Sequence, residues 1–506
     1  MLSGFILGFT SILTIKIFLL ILLGVVVGII FGAIPGLSAA MAVVLFLPMT
    51  FGMDPIAGMA LICGLYIGGI SGGLITAILL KIPGTPSSIA TCFDGSPMAA
   101  RGEAGKALGI GIVFSFLGGL FSFLVLFFIA PPLADVAIQF GAFEYFALAI
   151  FSLTMIASMS GGSLAKGLAS GVIGIVFALA GLAPVDALPR YTFGIHALDA
   201  GFDLLPVLIG LFAITEIVKT AEADASMKKA VIQDFKIKGF GFSMKEFMSQ
   251  KVNFVRSSLI GTGIGILPGI GGGTSNLLAY MAAKDSDKNP ERFGTGVIDG
   301  IVASETANNA SVGGALVPLL TLGIPGDAVT AMVLGAFMVH GISPGPLLFI
   351  NNKDLVYSIF ASLLVANVMM LIVEFYGLRI FVKMLKIPKH YLLPIIFALC
   401  AVGAYGLNNR VFDVATILIF GFIGYSMEKL GLPLTPVILG FILGPIAELN
   451  LRRGLQHTNG DFIPFLTSPI AAFFLLIALY VSISTVRKNM KRSKEEKERL
   501  ASAISG

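Results

Sequence analysis

The chain has 506 residues, 56% of them hydrophobic and 12% charged, with a mean hydropathy of +0.96 and a net charge of +5. Such hydropathy excludes a soluble globular domain. The positive charge sits in hydrophilic stretches and a basic tail, as the positive-inside rule expects, and excludes a nucleic-acid role as its source.

The N-terminus lacks a basic leader and its apolar stretch is too long for a cleavable signal peptide, so the first helix is expected to act as the insertion signal. Uncharged runs follow at Ile17–Met53, Pro55–Leu80, Ala107–Ala134, Ser257–Ala283 and Phe462–Val486. Each can cross a hydrocarbon core, which needs about 20 apolar residues. The expected fold is all-α: a polytopic helical membrane protein with about ten to twelve membrane segments. The hydrophilic stretch from Lys219 to Arg256 carries Lys228, Lys229, Lys236, Lys238, Lys245 and Lys251 and is placed in the cytoplasm. So are the tail after Val486 (Arg487, Lys488, Lys491, Arg492, Lys494) and a loop marked by Arg379, Lys383, Lys386 and Lys389. The expected organisation is a first transmembrane repeat over 1–218, a basic linker over 219–256, a second repeat over 257–455, a final helix over 456–486 and a basic tail over 487–506. Cys63, Cys92 and Cys400 are scattered and form neither a disulfide framework nor a metal motif.

Proline-glycine pairs interrupt the apolar runs in matching order. Pro35-Gly36 and Pro83-Gly84 stand in the first half, Pro268-Gly269 and Pro325-Gly326 in the second. Gly28 and Gly32 match Gly261 and Gly265. Gly174 and Gly181-Leu182 match Gly424 and Gly431-Leu432. Pro206-Val207, Gly210 and Glu216 match Pro436-Val437, Gly440 and Glu448. Broken segments at corresponding places in two repeats point to a secondary transporter's binding site. The second repeat begins after the inner linker, and one further span separates its end from the inner tail. It therefore crosses an odd number of times, and the first repeat, ending inside, begins outside: the repeats are inverted. Arg452 and Arg453 then fall outside, against the charge bias.

Lys81-Ile82-Pro83-Gly84-Thr85-Pro86-Ser87-Ser88 has two prolines that remove backbone donors and cannot sit in an unbroken helix. A helix restarting there aims free N–H groups and a partial positive charge at one point. Thr85, Ser87 and Ser88 add hydroxyls suited to a carboxylate, so Pro83, Gly84, Thr85, Pro86, Ser87 and Ser88 form one candidate substrate cradle. A Pro-kinked helix packed in the bundle is the alternative. The second cradle is Gly269, Gly271, Gly272, Thr274, Ser275 and Asn276, where glycines allow close backbone approach. Small-residue helix packing is its alternative. Gly36 and Ser38 in the first half, and Pro325 and Gly326 in the second, complete the substrate set. Glu305, Asn308, Asn309 and Asp327 are candidates for sodium or proton coupling, because an acid and two amides in a membrane segment are costly. Interfacial polar residues in a short loop are the alternative reading there.

Glu374 precedes Arg379 by five residues and is expected to pair with it or to snorkel; His340 is expected to be buried and hydrogen-bonded. Gly69-Ile70-Ser71-Gly72-Gly73 fits G-x-S-x-G, but so does Gly341-Ile342-Ser343-Pro344-Gly345, and the strand-to-helix context is missing. An intramembrane serine hydrolase using Ser71 with His340 is the enzymatic alternative. No P-loop occurs, so no ATPase activity is expected of this chain.

Nearly the whole chain resembles the large membrane subunit of the tripartite tricarboxylate transporters, the TctA family. The resemblance rests on Gly32-Ala33-Ile34-Pro35-Gly36-Leu37 and on Ile82-Pro83-Gly84-Thr85-Pro86-Ser87-Ser88 with Asp94-Gly95 and Pro97-Met98. In the second half it rests on Leu267-Pro268-Gly269-Ile270-Gly271, Glu305-Thr306-Ala307-Asn308-Asn309-Ala310 and Leu322-Gly323-Ile324-Pro325-Gly326. The family pattern continues with a small polar residue where this chain has Asp327. The resemblance implies a bacterial inner-membrane importer that is not an enzyme. It implies a small TctB-like membrane subunit, a TctC-like periplasmic solute-binding protein, an ion gradient in place of ATP, and citrate-like tricarboxylates or related organic anions as substrates. A stand-alone anion permease is the other transport reading. No cofactor is expected beyond the coupling ion, sodium or a proton.

Overall fold

Proline, glycine and short polar residues set where the helices start and stop. The computed structural model describes residues 2–159, 164–224, 241–385 and 389–505. α1 (Leu2–Ile12) is followed by α2 (Ile15–Ala33), capped by the Thr14 side chain, which accepts from the Ile17 N–H at 3.3 Å. After the Pro35-Gly36 break, Ser38 caps α3 (Ala39–Phe46) in the same way. Asp54 caps α4 (Pro55–Leu80), and Pro55 fills the first helical position, where its missing donor is harmless. α4 stops at Lys81, which is left-handed at φ 57. A 3-10 turn at Pro86–Ser88 leads to α5 (Thr91–Met98), and a π-type turn at Ala99–Glu103 leads on to α6 (Ala104–Ala137).

α7 (Ala142–Met159) and α8 (Leu164–Ala178) precede a two-residue antiparallel hairpin, β1 (Gly181–Leu182) and β2 (Pro189–Arg190), in register Gly181 to Arg190. α9 (Leu204–Leu208) and α10 (Thr215–Asp224) flank a π-type turn at Ile209–Ile214. Then come α11 (Met244–Ser249), α12 (Lys251–Ile266), α13 (Gly271–Asp285), α14 (Ile298–Leu322), α15 (Ala328–Val339), α16 (Leu348–Asn351) and α17 (Lys353–Met384). α18 (Lys389–Asn408), α19 (Val411–Lys429), α20 (Leu434–His457), α21 (Ile463–Thr467) and α22 (Pro469–Ser505) complete the order. Lys228, Lys229, Lys236, Lys238 and Lys386 lie outside the described residues. Where the linker returns, Lys106 reaches Glu246 at 2.5 Å; together with the Ser243 N–H it pulls that carboxyl from its ordinary 4.5 down to about 2.

The protein is all-α apart from that hairpin, and among the described residues nine helical runs are long and apolar enough to cross a membrane. It is thus a multi-pass membrane protein. The expected ten to twelve segments exceed nine because the breaks leave short pieces. Ala39–Thr50 and Ala328–Val339 are apolar but below spanning length. α14 runs 25 residues and is buried along nearly its whole length, yet its Ser-Glu-Thr and Asn-Asn stretches keep it off the apolar set.

The chain divides into two compact units, each assembled from two stretches: Met1–Ile138 with Leu205–Tyr425, and Gln139–Leu204 with Ser426–Gly506. In the first, α2 and α4 cross through glycines four residues apart, Gly24, Gly28 and Gly32 against Gly64, Gly68 and Gly72. A Cβ on Gly28 would lie 2.5 Å from the Leu65 carbonyl oxygen, and one on Gly68 would lie 2.3 Å from that of Val25. Backbone cannot yield as a side chain does. Gly28→Ala is therefore expected to destabilise the chain by about 2 kcal/mol through overpacking. The midpoint of thermal unfolding in detergent checks this, and an unchanged midpoint would show that the two helices part freely. In the same unit Gly210 packs on α19, where its Cβ would lie 2.8 Å from the Ile417 oxygen and 3.1 Å from the Gly421 nitrogen.

In the second unit α20 packs against α7 and α8, and a Cβ on Gly440 would lie 2.1 Å from the Gly171 oxygen. Phe465 fits edge-on between Phe143 and Phe146, with ring centroids 4.8 and 5.3 Å away. Arg190 holds Glu448 through two hydrogen bonds of 2.6 and 3.2 Å. Arg452 pairs with Glu448 at 2.9 Å and with Asp186 at 3.3 Å.

Candidate functional site

The four proline-glycine breaks lie in the first unit and rest on neighbouring helices in two similar ways. A Cβ on Gly84 would lie 2.2 Å from the Gly32 carbonyl oxygen, and one on Gly326 would lie 2.7 Å from that of Gly265. The second pair is also joined directly, the Gly269 N–H donating to the Gly326 oxygen at 2.7 Å.

The breaks differ in how their helix N-termini are satisfied. Ser38 caps α3. The Thr85 N–H donates to Ser88 Oγ at 3.3 Å, and Ser88 Oγ donates to the Thr85 oxygen at 2.9 Å, closing the turn on itself. Asp327 caps α15, accepting from the Thr330 N–H at 2.7 Å and the Thr330 hydroxyl at 2.8 Å. α13 starts at Gly271, left-handed at φ +65, with no side-chain cap. Its first N–H groups therefore keep their donor capacity and their share of the helix dipole.

The two cradles meet at that uncapped start. A Cβ on Gly272 would lie 2.9 Å from Asn308 Oδ1 and 3.1 Å from both Ser311 Oγ and Ser87 Cβ; one on Gly273 would lie 3.2 Å from the Pro86 oxygen. Asn276 Oδ1 accepts from the Ala90 N–H at 2.9 Å, and its Nδ2 donates to the Ser304 oxygen at 3.3 Å, tying the first cradle's exit to α14. Ser87, Ser275 and Asn276 are buried, and Thr274 is half-buried. Thr85 Oγ1 lies 3.3 Å from Ser87 Oγ. Gly36 and Ser38 lie at another point: the Thr220 hydroxyl donates to the Gly36 oxygen at 3.3 Å. Pro325 and Gly326 are buried, and the Gly326 oxygen joins them to Gly269 of the second cradle.

The four cation candidates are not equivalent. Glu305 accepts from the Thr91 hydroxyl at 2.5 Å on one oxygen and from the Ser115 hydroxyl at 3.0 Å on the other. Asn309 Nδ2 donates to the Glu305 backbone oxygen at 3.1 Å. Asp327 also accepts from the Tyr66 hydroxyl at 3.2 Å. Asn308 Nδ2 donates to the Ile70 oxygen at 3.4 Å, while its Oδ1 is buried without a protein partner beside Gly272. Among the described residues no three His, Cys, Asp or Glu side chains converge as a metal site. An oxygen-only monocation site built from Asn308, hydroxyls and backbone would not need them.

Sequence reasoning missed Thr91, Ser115, Tyr66 and Ser311, ordinary hydroxyl-bearing residues whose partners lie far along the chain. It also left Asp94 without a role. This buried carboxylate accepts from the N–H groups of Gly294, Gly296 and Val297 at 2.8 to 2.9 Å and from the Tyr280 hydroxyl at 2.8 Å. Glu374 does not turn to Arg379: residues five apart on a helix lie roughly 140° apart, and Glu374 accepts from the Ser71 hydroxyl at 2.9 Å. His340 is half-buried with Nε2 unpartnered, beside Gly58. Gly58 is thirteen residues from Ser71 on α4, about 20 Å along the axis. Ser71 and His340 therefore form no catalytic pair.

Comparison with known proteins gives a consistent set of relatives. Residues 18–439 match the family described as "Tripartite tricarboxylate transporter TctA family". An Agrobacterium vitis protein described as an uncharacterized 52.8 kDa protein in the TAR-I ttuC' 3' region is 35% identical over 463 residues, covering 92% of this chain and 91% of that one. A second from the same organism, described as an uncharacterized protein in the TAR-II ttuC' 3' region, is 37% identical over 236 residues, covering 47% of this chain and 98% of that one. No solved structure matches the chain significantly.

Proposed function

The chain belongs to the tripartite tricarboxylate transporter TctA family, and on that premise we propose that it is an ion-gradient-driven symporter importing a citrate-like tricarboxylate or related organic anion by alternating access. Membership makes it a membrane carrier and not an enzyme, and implies partner subunits. In our reading the partners are a small TctB-like membrane subunit and a TctC-like periplasmic binding protein that delivers the anion. The site is the bacterial inner membrane, with linker and tail in the cytoplasm.

One observation carries this reading. The uncapped start of α13 stands beside buried Ser87 from the first half and the unpartnered Asn308 Oδ1 from the second. Free N–H groups, a helix N-terminus and hydroxyl donors suit a carboxylate. An amide oxygen with nothing to accept from suits a cation travelling with it. Paired packing supports a repeat: Gly84 on Gly32 and Gly326 on Gly265, Gly210 near Gly421 and Gly440 on Gly171; that the repeats are inverted rests on the parity of the spans. The ion pairs of Arg452 with Glu448 and Asp186 offset the charge that such a topology places outside.

The test is uptake of radiolabelled citrate into proteoliposomes holding the chain and its small partner, with binding protein outside, with and without an inward sodium gradient. Gradient-dependent accumulation is the expected result. Its absence for citrate and related carboxylates, under both sodium and proton gradients, sinks the proposal. Ser87→Ala and Thr85→Ala are expected to raise the half-saturating substrate concentration about tenfold each, the loss of a charge-assisted hydrogen bond. Asn308→Ala is expected to raise chiefly the half-saturating sodium concentration. Wild-type values in all three, at normal abundance, would move the site elsewhere.

A further inference from the structure

α17 carries buried polar side chains that the cradles leave without a task, Asn367 and Glu374 among them. Asn367 and Glu374 stand seven residues apart, close to two turns, and so share one face of the helix. Glu374 is fully buried; Oε2 accepts from Ser71, while Oε1 has no protein partner. Asn367 Nδ2 donates to the Phe116 oxygen at 2.9 Å, and its Oδ1 is also unpartnered.

Among the described residues no cation pairs with this carboxyl. α17 packs against α1, α2, α4, α6 and α16. α1, α4 and α16 contain no charged residue, α2 has only Lys16 in its first turn, and α6 has none between Ala107 and Ala134. The weakly acidic groups on α4 are Cys63, two turns before Ser71, and Tyr66, which is bonded to Asp327. The other buried carboxyl joined to this region is Glu305 of α14. The two carboxyls are linked through buried polar contacts. Ser115, which holds Glu305, precedes Phe116, whose oxygen holds Asn367; Ser71, which holds Glu374, follows Ile70, whose oxygen holds Asn308.

We propose that Glu374 is a proton-binding site of the transport cycle, separate from the cradles and coupled to them through Ser71 and Asn308. The inference rests on the transport reading above. A buried carboxylate with one hydroxyl partner and its other oxygen unpartnered is uncompensated in a low-dielectric interior. A proton resolves this without any rearrangement of side chains. Loading forms one O–H bond at Oε1 with a proton taken from water on the outer side, and unloading returns that proton to water on the inner side. Ser71 keeps its hydrogen bond to Oε2 in both states. A cation arriving near Asn308 or an anion arriving at Ser87 changes the field at Glu374 through α4 and α14, which couples proton release to occupancy.

The test is infrared spectroscopy of the purified full chain in lipid nanodiscs, following the carbonyl stretch of protonated carboxyls against pH and, separately, against sodium chloride. The wild type is expected to show a band that titrates with pH. E374Q is expected to lose that band, and S71A to keep it at higher frequency because the serine hydrogen bond is gone. An unchanged band in E374Q, with melting as in wild type, overturns the proposal. So does a band that responds to sodium and not to pH, which would make the site a cation site. The readout needs no substrate. Absence of citrate uptake by the wild type counts against the transport reading alone, and an unchanged E374Q spectrum counts against Glu374 alone.

Discussion

Gly272→Ala is expected to lower the rate of uptake at limiting substrate about a hundredfold while leaving the amount of folded chain in the membrane unchanged. The added methyl would sit 2.9 Å from Asn308 Oδ1 and 3.1 Å from Ser311 Oγ and Ser87 Cβ, all closer than an ordinary van der Waals contact. Those neighbours cannot all step back. Asn308 is held by its bond to the Ile70 oxygen, and the Ser311 hydroxyl donates to the Asn308 backbone oxygen at 2.7 Å. The displacement therefore falls on the groups proposed to hold anion and cation. A misplacement of about 1 Å at such a site costs about a hundredfold, or about 2.7 kcal/mol. Stability moves less, because alanine in place of glycine gains about 1 kcal/mol of helix propensity, which offsets part of the crowding. Gly263→Ala is the control: its Cβ would meet nothing within 4 Å, and uptake is expected to match wild type. The check is initial uptake in proteoliposomes, normalised to the chain present. A Gly272→Ala protein transporting within threefold of wild type would remove Gly272 from the site.

How much of this was legible in the sequence depends on the range of each signal. The breaks at Pro35, Pro83, Pro268 and Pro325 were legible because a proline removes its own donor, whatever packs against it. Each lies between helices as expected. Ser38 carries a local signal too, but it was read as part of the substrate set, whereas it caps α3. The identity of hydrogen-bond partners was not legible. Thr91 and Ser115 reach Glu305 across 214 and 190 residues, and Ser71 reaches Glu374 across 303. A serine or threonine in an apolar helix gives no local sign of such a partner. Glu374 shows the failure plainly: its neighbour in sequence is Arg379, but helix geometry turns the two apart. α14 was hidden for the opposite reason. Its polar residues lower its hydropathy, while protein on all sides supplies the burial that lipid would not. The composition of the two compact units was equally hidden, since each joins stretches from both halves of the chain.

Asp94 offers the sharpest test of a residue whose motif was noticed but whose work was not. Asp94→Ala is expected to speed amide hydrogen exchange at Gly294, Gly296 and Val297 about a hundredfold, equivalent to about 2.7 kcal/mol of lost local protection. The carboxylate's Oδ1 accepts from all three N–H groups and its Oδ2 from the Tyr280 hydroxyl. Removing it takes the acceptor from four donors, of which the Tyr280 hydroxyl is buried, and each bond is worth about 1 kcal/mol. Asn is expected to fall between, because its oxygen still accepts while its amide nitrogen faces donors it cannot accept from. Asp94 sits in α5, directly after the first cradle, and the loop it fastens leads from α13 into α14, which carries Glu305 and Asn308. A loosened loop therefore frees the start of α14 and the exit of the first cradle together. Exchange unchanged at those three amides would mean that the loop is held by Arg292, which pairs with Asp287 at 2.6 Å and Asp299 at 3.0 Å, and not by Asp94. Faster exchange accompanied by slower uptake would make this carboxylate the fastener between the two cradles, a role set by four donors converging on one buried side chain.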